Sequence, residues 1–248
     1  MPKQLAMVIL SLGLYGGRLL AQAAPRVVLL ELFTSEGCSS CPPADALLKQ
    51  LNGTRTAAGD LVVGISEHVT YWNQLGWRDP FSTDVSTDRQ SAYGRRFGLG
   101  EVYTPQMVVN GEQEVLGSDP AAVAQAFSRL KKVSAVSVQV VGVKAEGDGM
   151  ALTFRVSAGT AKVDIYAVVA EDAASSRVAR GENAGRTLAH VAVASTFVKV
   201  ATASTDGEKT VHVAGVPARE AGTGKRHMIV FAQSAGLGPV LAVDTLAF

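Results

Sequence analysis

The sequence predicts two successive units, an α/β domain over residues 25–133 and an all-β sandwich domain over residues 134–248. In the first half, apolar runs long enough for buried strands alternate with segments of helical spacing. From about Ser134 onwards, apolar residues alternate with polar ones, as in antiparallel strands with one buried face. No linker or low-complexity run separates the halves, so we expect them to pack together.

The first residues have the pattern of a secretory signal over residues 1–24. Lys3 supplies the positive start, Leu5 to Tyr15 an apolar run, and Ala21-Gln22-Ala23 a cleavage pattern. The apolar run is too short to cross a bilayer, which requires about 20 apolar residues. We therefore expect a periplasmic or secreted mature chain without a membrane span, in a compartment where disulfides persist.

Charge and composition narrow the possible partners. The chain has 248 residues, is 47% hydrophobic and carries a formal net charge of +1. Its length and apolar content suffice for a full core. Binding of nucleic acid requires clustered Lys and Arg. No such cluster is present, so nucleic acid is not an expected partner.

The first strand and helix enclose a pair of cysteines. An apolar run from Val27 to Phe33 reads as a buried strand, and four apolar residues at helical spacing follow it: Ala44, Leu47, Leu48 and Leu51. Cys38 and Cys41, the only cysteines, stand at the junction. The free N–H groups and the dipole of a helix N-terminus favour a thiolate on Cys38. We therefore expect Cys38 at the protein surface as the nucleophile, with Cys41 resolving the mixed disulfide.

A second strand, Leu61 to Val69, carries His68 near its end. The carboxyl ends of neighbouring parallel strands meet at one edge of a sheet, so His68 can lie near the dithiol. There it would stabilise the thiolate or shuttle its proton. The alternative is a histidine at a strand end that is simply hydrogen-bonded or solvated.

Aromatic residues crowd the segment after this strand. Tyr71, Trp72 and Trp77 lie within seven positions. Such a cluster packs a loop onto the core or forms an aromatic rim for a protein or peptide substrate. With Tyr103, these residues are our candidates for a substrate groove.

The remaining elements of the first half are a helix, a hairpin and a helix. Residues 82–97 have helical spacing, and Ser86 is a candidate cap. Asn110-Gly111 between two apolar runs indicates a tight hairpin. A helix with Pro120 at its first position follows, capped by Ser118 or Asp119.

This order of elements resembles the thioredoxin fold. That resemblance implies a cis-proline opposite the dithiol, and Thr104-Pro105 matches the position. Thr104 would then pair with an extended substrate. Glu31 resembles the buried carboxylate that deprotonates the second cysteine in thioredoxins, although the spacing is one residue longer; an outward-facing Glu31 is the alternative.

Three blocks resemble one family more narrowly. Residues 32–45, 71–81 and 103–111 are similar to secreted bacterial thioredoxin-like proteins catalogued as domain of unknown function 1223. The resemblance implies a thioredoxin-like fold over most of the mature chain and no established substrate.

In the second half, about seven short strands without cysteines suggest a sandwich that resembles immunoglobulin-like folds. Between two of these strands, Arg177 to Arg186 forms a polar loop with two glycines. This loop either leans over the dithiol, binding an acidic group through Arg180 or Arg186, or is a solvated loop.

Three functional hypotheses remain open. The first is an exported thiol-disulfide oxidoreductase acting on protein or small thiols, with Ser39 and Ser40 tuning the thiolate and no cofactor beyond the redox-active disulfide. The second is a Cu(I)-binding module using Cys38, Cys41 and His68, because soft thiolates suit Cu(I). The third is a partner-binding scaffold with an inert disulfide. A zinc site is not expected, because further Cys or His ligands at suitable spacing are missing.

Overall fold

The computed structural model describes residues 26–131, 135–159, 161–216 and 224–248. The predicted signal, residues 1–24, lies outside them. The elements of the first half are β1 (Val27–Thr34), α1 (Pro42–Leu51), β2 (Leu61–His68), α2 (Asp84–Phe97), β3 (Gln106–Val109), β4 (Gln113–Leu116) and α3 (Pro120–Ser128). Those of the second half are β5 (Ser137–Glu146), β6 (Gly149–Ser157), β7 (Val163–Glu171), β8 (Ala174–Arg177), β9 (Thr187–His190), β10 (Val193–Ala203), β11 (Gly207–Ala214), β12 (Arg226–Ser234) and β13 (Val240–Ala247).

One mixed sheet of eight strands runs through both halves, in the order β13-β12-β7-β10-β2-β1-β3-β4. Strand content is 46% and helix content 16%. The prediction of an α/β thioredoxin-like domain followed by an immunoglobulin-like sandwich is therefore wrong. Four strands from the second half, β7, β10, β12 and β13, extend the sheet of the first half, so the two halves share one sheet.

The open edge of β2 explains this joining. β1 pairs with one edge of β2 in parallel, and the other edge meets β10, where Val193 pairs with Ser66. Unpaired strand edges require a partner. The same face buries apolar side chains from both halves in one cluster, including Leu29, Ile65 and Phe231. Edge pairing and shared burial therefore act together.

A second layer covers part of the large sheet. The three-stranded sheet β11-β6-β5 packs on β7 and β12, and their shared core contains Phe154, Ile165 and Val230. β8 and β9 pair only with each other. The predicted domain boundary at residues 133 and 134 lies outside the described residues and stays a prediction.

The structure agrees better with the predictions made from turn and cap residues. Asn110 and Gly111 adopt φ angles of 52° and 63° between β3 and β4, which confirms the hairpin. α3 begins at Pro120, and Asp119 accepts hydrogen bonds from the first-turn N–H groups. α2 is capped by Thr83 instead of Ser86. Among the described residues, the helices are too short or too polar to cross a membrane.

Candidate functional site

The two cysteines form a disulfide at the start of α1. Cys41 is the N-cap residue, and Pro42 and Pro43 open the helix. Both cysteines are fully buried, whereas the intervening Ser39 and Ser40 are exposed. The expectation of a surface sulfur at Cys38 is therefore wrong for this structure.

The Ser40 side chain contacts the sulfur of Cys38. Its Oγ lies 3.4 Å from Cys38 Sγ. The first backbone N–H groups of α1 belong to Ala44 and Asp45, and both donate to the Cys41 carbonyl. Because prolines have no N–H, the first turn offers little else to an anion at Cys38. The Ser40 hydroxyl is thus the local donor for a thiolate formed on reduction.

A buried carboxylate, Glu36, lies two residues before Cys38. Its Oε2 accepts a hydrogen bond from Trp77 Nε1 at 2.8 Å. Its Oε1 accepts one from Ser176 Oγ at 2.6 Å and lies 3.2 Å from His190 Nε2. Burial alone raises the pKa of Glu36, but the hydrogen bonds from His190, Ser176 and Trp77 outweigh it and lower the pKa. Glu36 is therefore ionised at neutral pH.

His190 is the cation of this network. Its Nδ1 lies 3.7 Å from Asp45 Oδ1, and Asp45 shares a helix face with Cys41 at i, i+4 spacing. Burial lowers the pKa of His190, but Asp45 and Glu36 outweigh that effect and raise it to about 9. A buried charge thus links the Cys38 loop to the first turn of α1.

His68 joins the same cluster through Asp79. Its Nδ1 lies 2.7 Å from Asp79 Oδ2, and that oxygen also accepts the Glu36 N–H at 2.8 Å. Burial raises the pKa of Asp79, but the His68 contact outweighs it and the pKa is lowered. The His68 and His190 rings meet edge to face, with centroids 4.6 Å apart. His68 therefore reaches the dithiol segment through a carboxylate, and its catalytic role stays a prediction.

Trp72 connects the cysteine loop to Thr104. A methyl group at Gly37 would lie 3.0 Å from Trp72 Cβ, and Trp72 Nε1 donates to Thr104 Oγ1 at 2.8 Å. The Thr104-Pro105 peptide bond is cis. Tyr71 stands beside Trp72 and is 37% exposed. Of the predicted groove residues, the structure thus brings Tyr71, Trp72 and Thr104 together.

The other two aromatic candidates serve elsewhere. Trp77 donates to the buried Glu36 and belongs to the charge network. Tyr103 Oη donates to Glu114 Oε2 at 2.6 Å, and burial together with Glu114 raises the pKa of Tyr103. Neither contact points to a substrate-binding role.

Glu31 faces away from the dithiol. Leu32 packs with Ala44 of α1, and the next residue along a strand points to the opposite face. There Glu31 pairs with Arg89 and accepts a hydrogen bond from Tyr93 Oη at 2.7 Å. The contact with Cys41 that the resemblance implies is absent from the described structure.

The loop between β8 and β9 lies directly over the dithiol segment. Asn183 Nδ2 donates to the carbonyl oxygens of Glu36 and Cys38, both at 2.9 Å. Ser39 N–H donates to Glu182 Oε2 at 3.0 Å. Of the two predictions for this loop, the leaning loop is the one observed. Arg180 is exposed and Arg186 donates to Asn183 Oδ1, and binding of an acidic group by either arginine stays a prediction.

Sequence reasoning missed five residues of this site: Glu36, Asp45, Asp79, His190 and Asn183. Glu36 could have been singled out from the sequence, because a charged residue two positions before a cysteine affects the electrostatics of the thiol. His190 and Asn183 lie some 150 positions away along the chain, with no motif around them. Only the fold brings them to the cysteines.

In the described part of the chain, no group of three or more His, Cys, Asp or Glu side chains is arranged to hold a metal ion. The Cu(I) alternative requires reduced cysteines and stays a prediction.

Comparisons with known proteins show which family the chain belongs to. The model of the family described as "Protein of unknown function (DUF1223)" matches residues 29–233. The crystal structure of protein AGR_C_4864 from Agrobacterium tumefaciens is similar, with a TM-score of 0.66 and 26% identity, over 90% of this chain and 96% of that one. None of the proteins with a curated description matches this chain. Since the family model spans most of the sequence, the chain belongs to the DUF1223 family of proteins of unknown function.

Proposed function

We propose that the protein exchanges disulfides with protein or small-molecule thiols through Cys38 and Cys41, outside the cytoplasm. The observation that carries this proposal is the disulfide itself, which joins two cysteines three positions apart at the start of α1. A ring of this size adds little stability, so stapling the fold is a poor explanation for it. The signal pattern in residues 1–24 supports the location.

The exchange proceeds in two displacement steps. In the reducing direction, the Cys38 thiolate attacks a substrate disulfide, forming a mixed disulfide and releasing one substrate sulfur, which takes a proton. Cys41 then loses its proton and attacks Cys38 Sγ, which releases the second substrate sulfur. The substrate gains two electrons and two protons, and the dithiol of the protein is oxidised. The oxidising direction reverses these steps.

The surroundings of the disulfide suit both steps. Ser40 supplies a hydroxyl to the Cys38 thiolate. Asp45 and His190 lie on the side of Cys41, where a proton has to leave or arrive. Trp72 and Thr104 offer an aromatic face and a polar edge beside the cysteine loop, a combination that suits an extended peptide.

The decisive experiment titrates the cysteines in glutathione buffers and measures thiol alkylation. We expect a reversible midpoint for the wild-type protein and a mixed disulfide that accumulates in Cys41→Ser but not in Cys38→Ser. A mixed disulfide that accumulates in Cys38→Ser alone would reverse the assigned roles, and equal trapping in both variants would contradict the assignment of one nucleophile. A disulfide that remains intact across the whole glutathione range would instead favour the inert scaffold.

The contact between Ser40 and Cys38 leads to a second prediction. In a Cys41→Ser background, adding Ser40→Ala should raise the pKa of Cys38 by about one to two pH units, because a hydrogen bond to a charged group contributes about 1.5–3 kcal/mol. The pKa is read from the pH dependence of iodoacetamide alkylation. Ser39→Ala is the matched control, because Ser39 contacts Glu182 of the loop, through its backbone N–H and its side chain, whereas Ser40 Oγ lies at Cys38 Sγ. Equal shifts in both variants would contradict this role of Ser40.

A further inference from the structure

The β8–β9 hairpin is a separate element laid over the disulfide. Within the described residues, its two strands pair with each other and with neither of the larger sheets. A two-stranded hairpin is marginally stable by itself. Its position therefore depends on its contacts with the rest of the protein.

The hairpin is held at two levels. At its base, Ser176 and His190 bind the buried carboxylate of Glu36. At its tip, loop 178–186 touches the cysteine segment through Asn183 and Glu182. Gly181, with φ of 77°, sits against Trp77, where a Cβ would lie 3.3 Å from the Trp77 Cβ. The base contacts involve the buried Glu36 and His190, whereas the tip contacts involve Asn183 and the exposed carboxylate of Glu182.

The tip forms hydrogen bonds to three backbone groups of the cysteine segment. Asn183 is fully buried and donates to the carbonyl oxygens of Glu36 and Cys38, while Glu182 accepts the N–H of Ser39. An extended peptide binds next to a cysteine through backbone donors and acceptors of this kind. With the tip in place those groups are satisfied, and both cysteines are shielded from solvent.

We propose that loop 178–186 is a lid over the disulfide and that Asn183 is its latch. In the closed position the tip stands in for the substrate backbone and covers the sulfurs. It lifts about the anchored base of the hairpin before a thiol attacks Cys38. The inference rests on the proposed function for its purpose, but the shielding can be measured without a substrate.

The test is the rate at which a small phosphine, TCEP, reduces the disulfide of the full chain. We expect the disulfide of Asn183→Ala to be reduced roughly tenfold faster than that of wild type, because two hydrogen bonds from Asn183 hold the closed state. The matched control is Asn52→Ala, which loses a single side-chain contact, the bond from Gly64 N–H at 2.8 Å, at the other end of α1. Equal rates in wild type and Asn183→Ala, or equal acceleration in both variants, would overturn the lid.

A second variant covers the case in which Asn183→Ala does not fold. Glu182→Gln weakens the tip at an exposed position, and we expect roughly twofold faster reduction together with faster hydrogen exchange of the Ser39 amide. Unchanged reduction and exchange would contradict the lid. Faster reduction of these variants combined with no trapped adduct in Cys41→Ser would keep the lid and reject the oxidoreductase. Trapping without any change in reduction rate would do the reverse.

Discussion

Replacing Arg89 with methionine is expected to lower the free energy of unfolding by about 3–5 kcal/mol, the cost of leaving a buried charge without its partner. Arg89 pairs with Glu31 on the face of the sheet opposite α1, and both side chains are buried. Glu67 lies 3.9 Å from the same guanidinium and is also buried. Burial and the neighbouring Glu31 raise the pKa of Glu67 well above its usual range, which favours the neutral form of this carboxyl.

Arg89 also joins the two halves of the chain. Its guanidinium lies over the rings of Phe197, at 4.6 Å, and Tyr166, at 5.2 Å, and it donates to Gln233. The variant therefore loses stacking on the second half as well as the ion pair.

Urea unfolding measures the effect, and a surface pair of similar chemistry supplies the control. Arg155 binds Glu208 at 2.7 Å, but both side chains are about half exposed, so Arg155→Met should cost less than about 1 kcal/mol. Adding Glu31→Gln to Arg89→Met should recover part of the loss, because a neutral amide is cheaper to bury than a carboxylate. A cost for Arg89→Met no larger than that for Arg155→Met would contradict this assignment.

The second large effect is a pH-dependent contribution of His190. The pKa of His190 rises from about 6.5 unfolded to about 9 folded, because Asp45 and Glu36 outweigh the effect of burial. A raised folded pKa stabilises the protein fully below pH 6.5, and this contribution disappears as the pH rises through 9. The stability difference between wild type and His190→Gln should therefore shrink by about 3 kcal/mol over this range, at about 1.4 kcal/mol per pH unit.

The experiment compares urea unfolding of both proteins from pH 6 to pH 10 with the disulfide intact. The charged or titratable groups around His190 are Glu36, Asp45, His68 and Asp79, and all four remain in the variant. His212→Gln is the control, because His212 pairs with Glu146 and Asp148 on the surface. A His190→Gln deficit that stays constant with pH would show that His190 contributes by packing alone.

Some parts of the structure can be predicted from the sequence because they depend on residues that are close together in the chain. The dithiol at the start of α1 and the turn at Asn110-Gly111 depend on residues a few positions apart, so spacing and turn chemistry predict them. The acid next to His68 is different. Asp79 contacts His68 from eleven positions further along the chain, and no periodicity indicates that contact.

The sequence by itself determined the local elements: the strand, dithiol and helix, the tight turns and the proline-started helices. Their causes act over one turn or one hairpin, through backbone φ angles, caps and apolar spacing. The tertiary structure alone decided that β10 completes the edge of β2, and that Asn183 and His190 cover the cysteines. These contacts join strand edges and buried charges that lie more than 100 residues apart in the chain. Local sequence patterns do not indicate which distant residue becomes the partner.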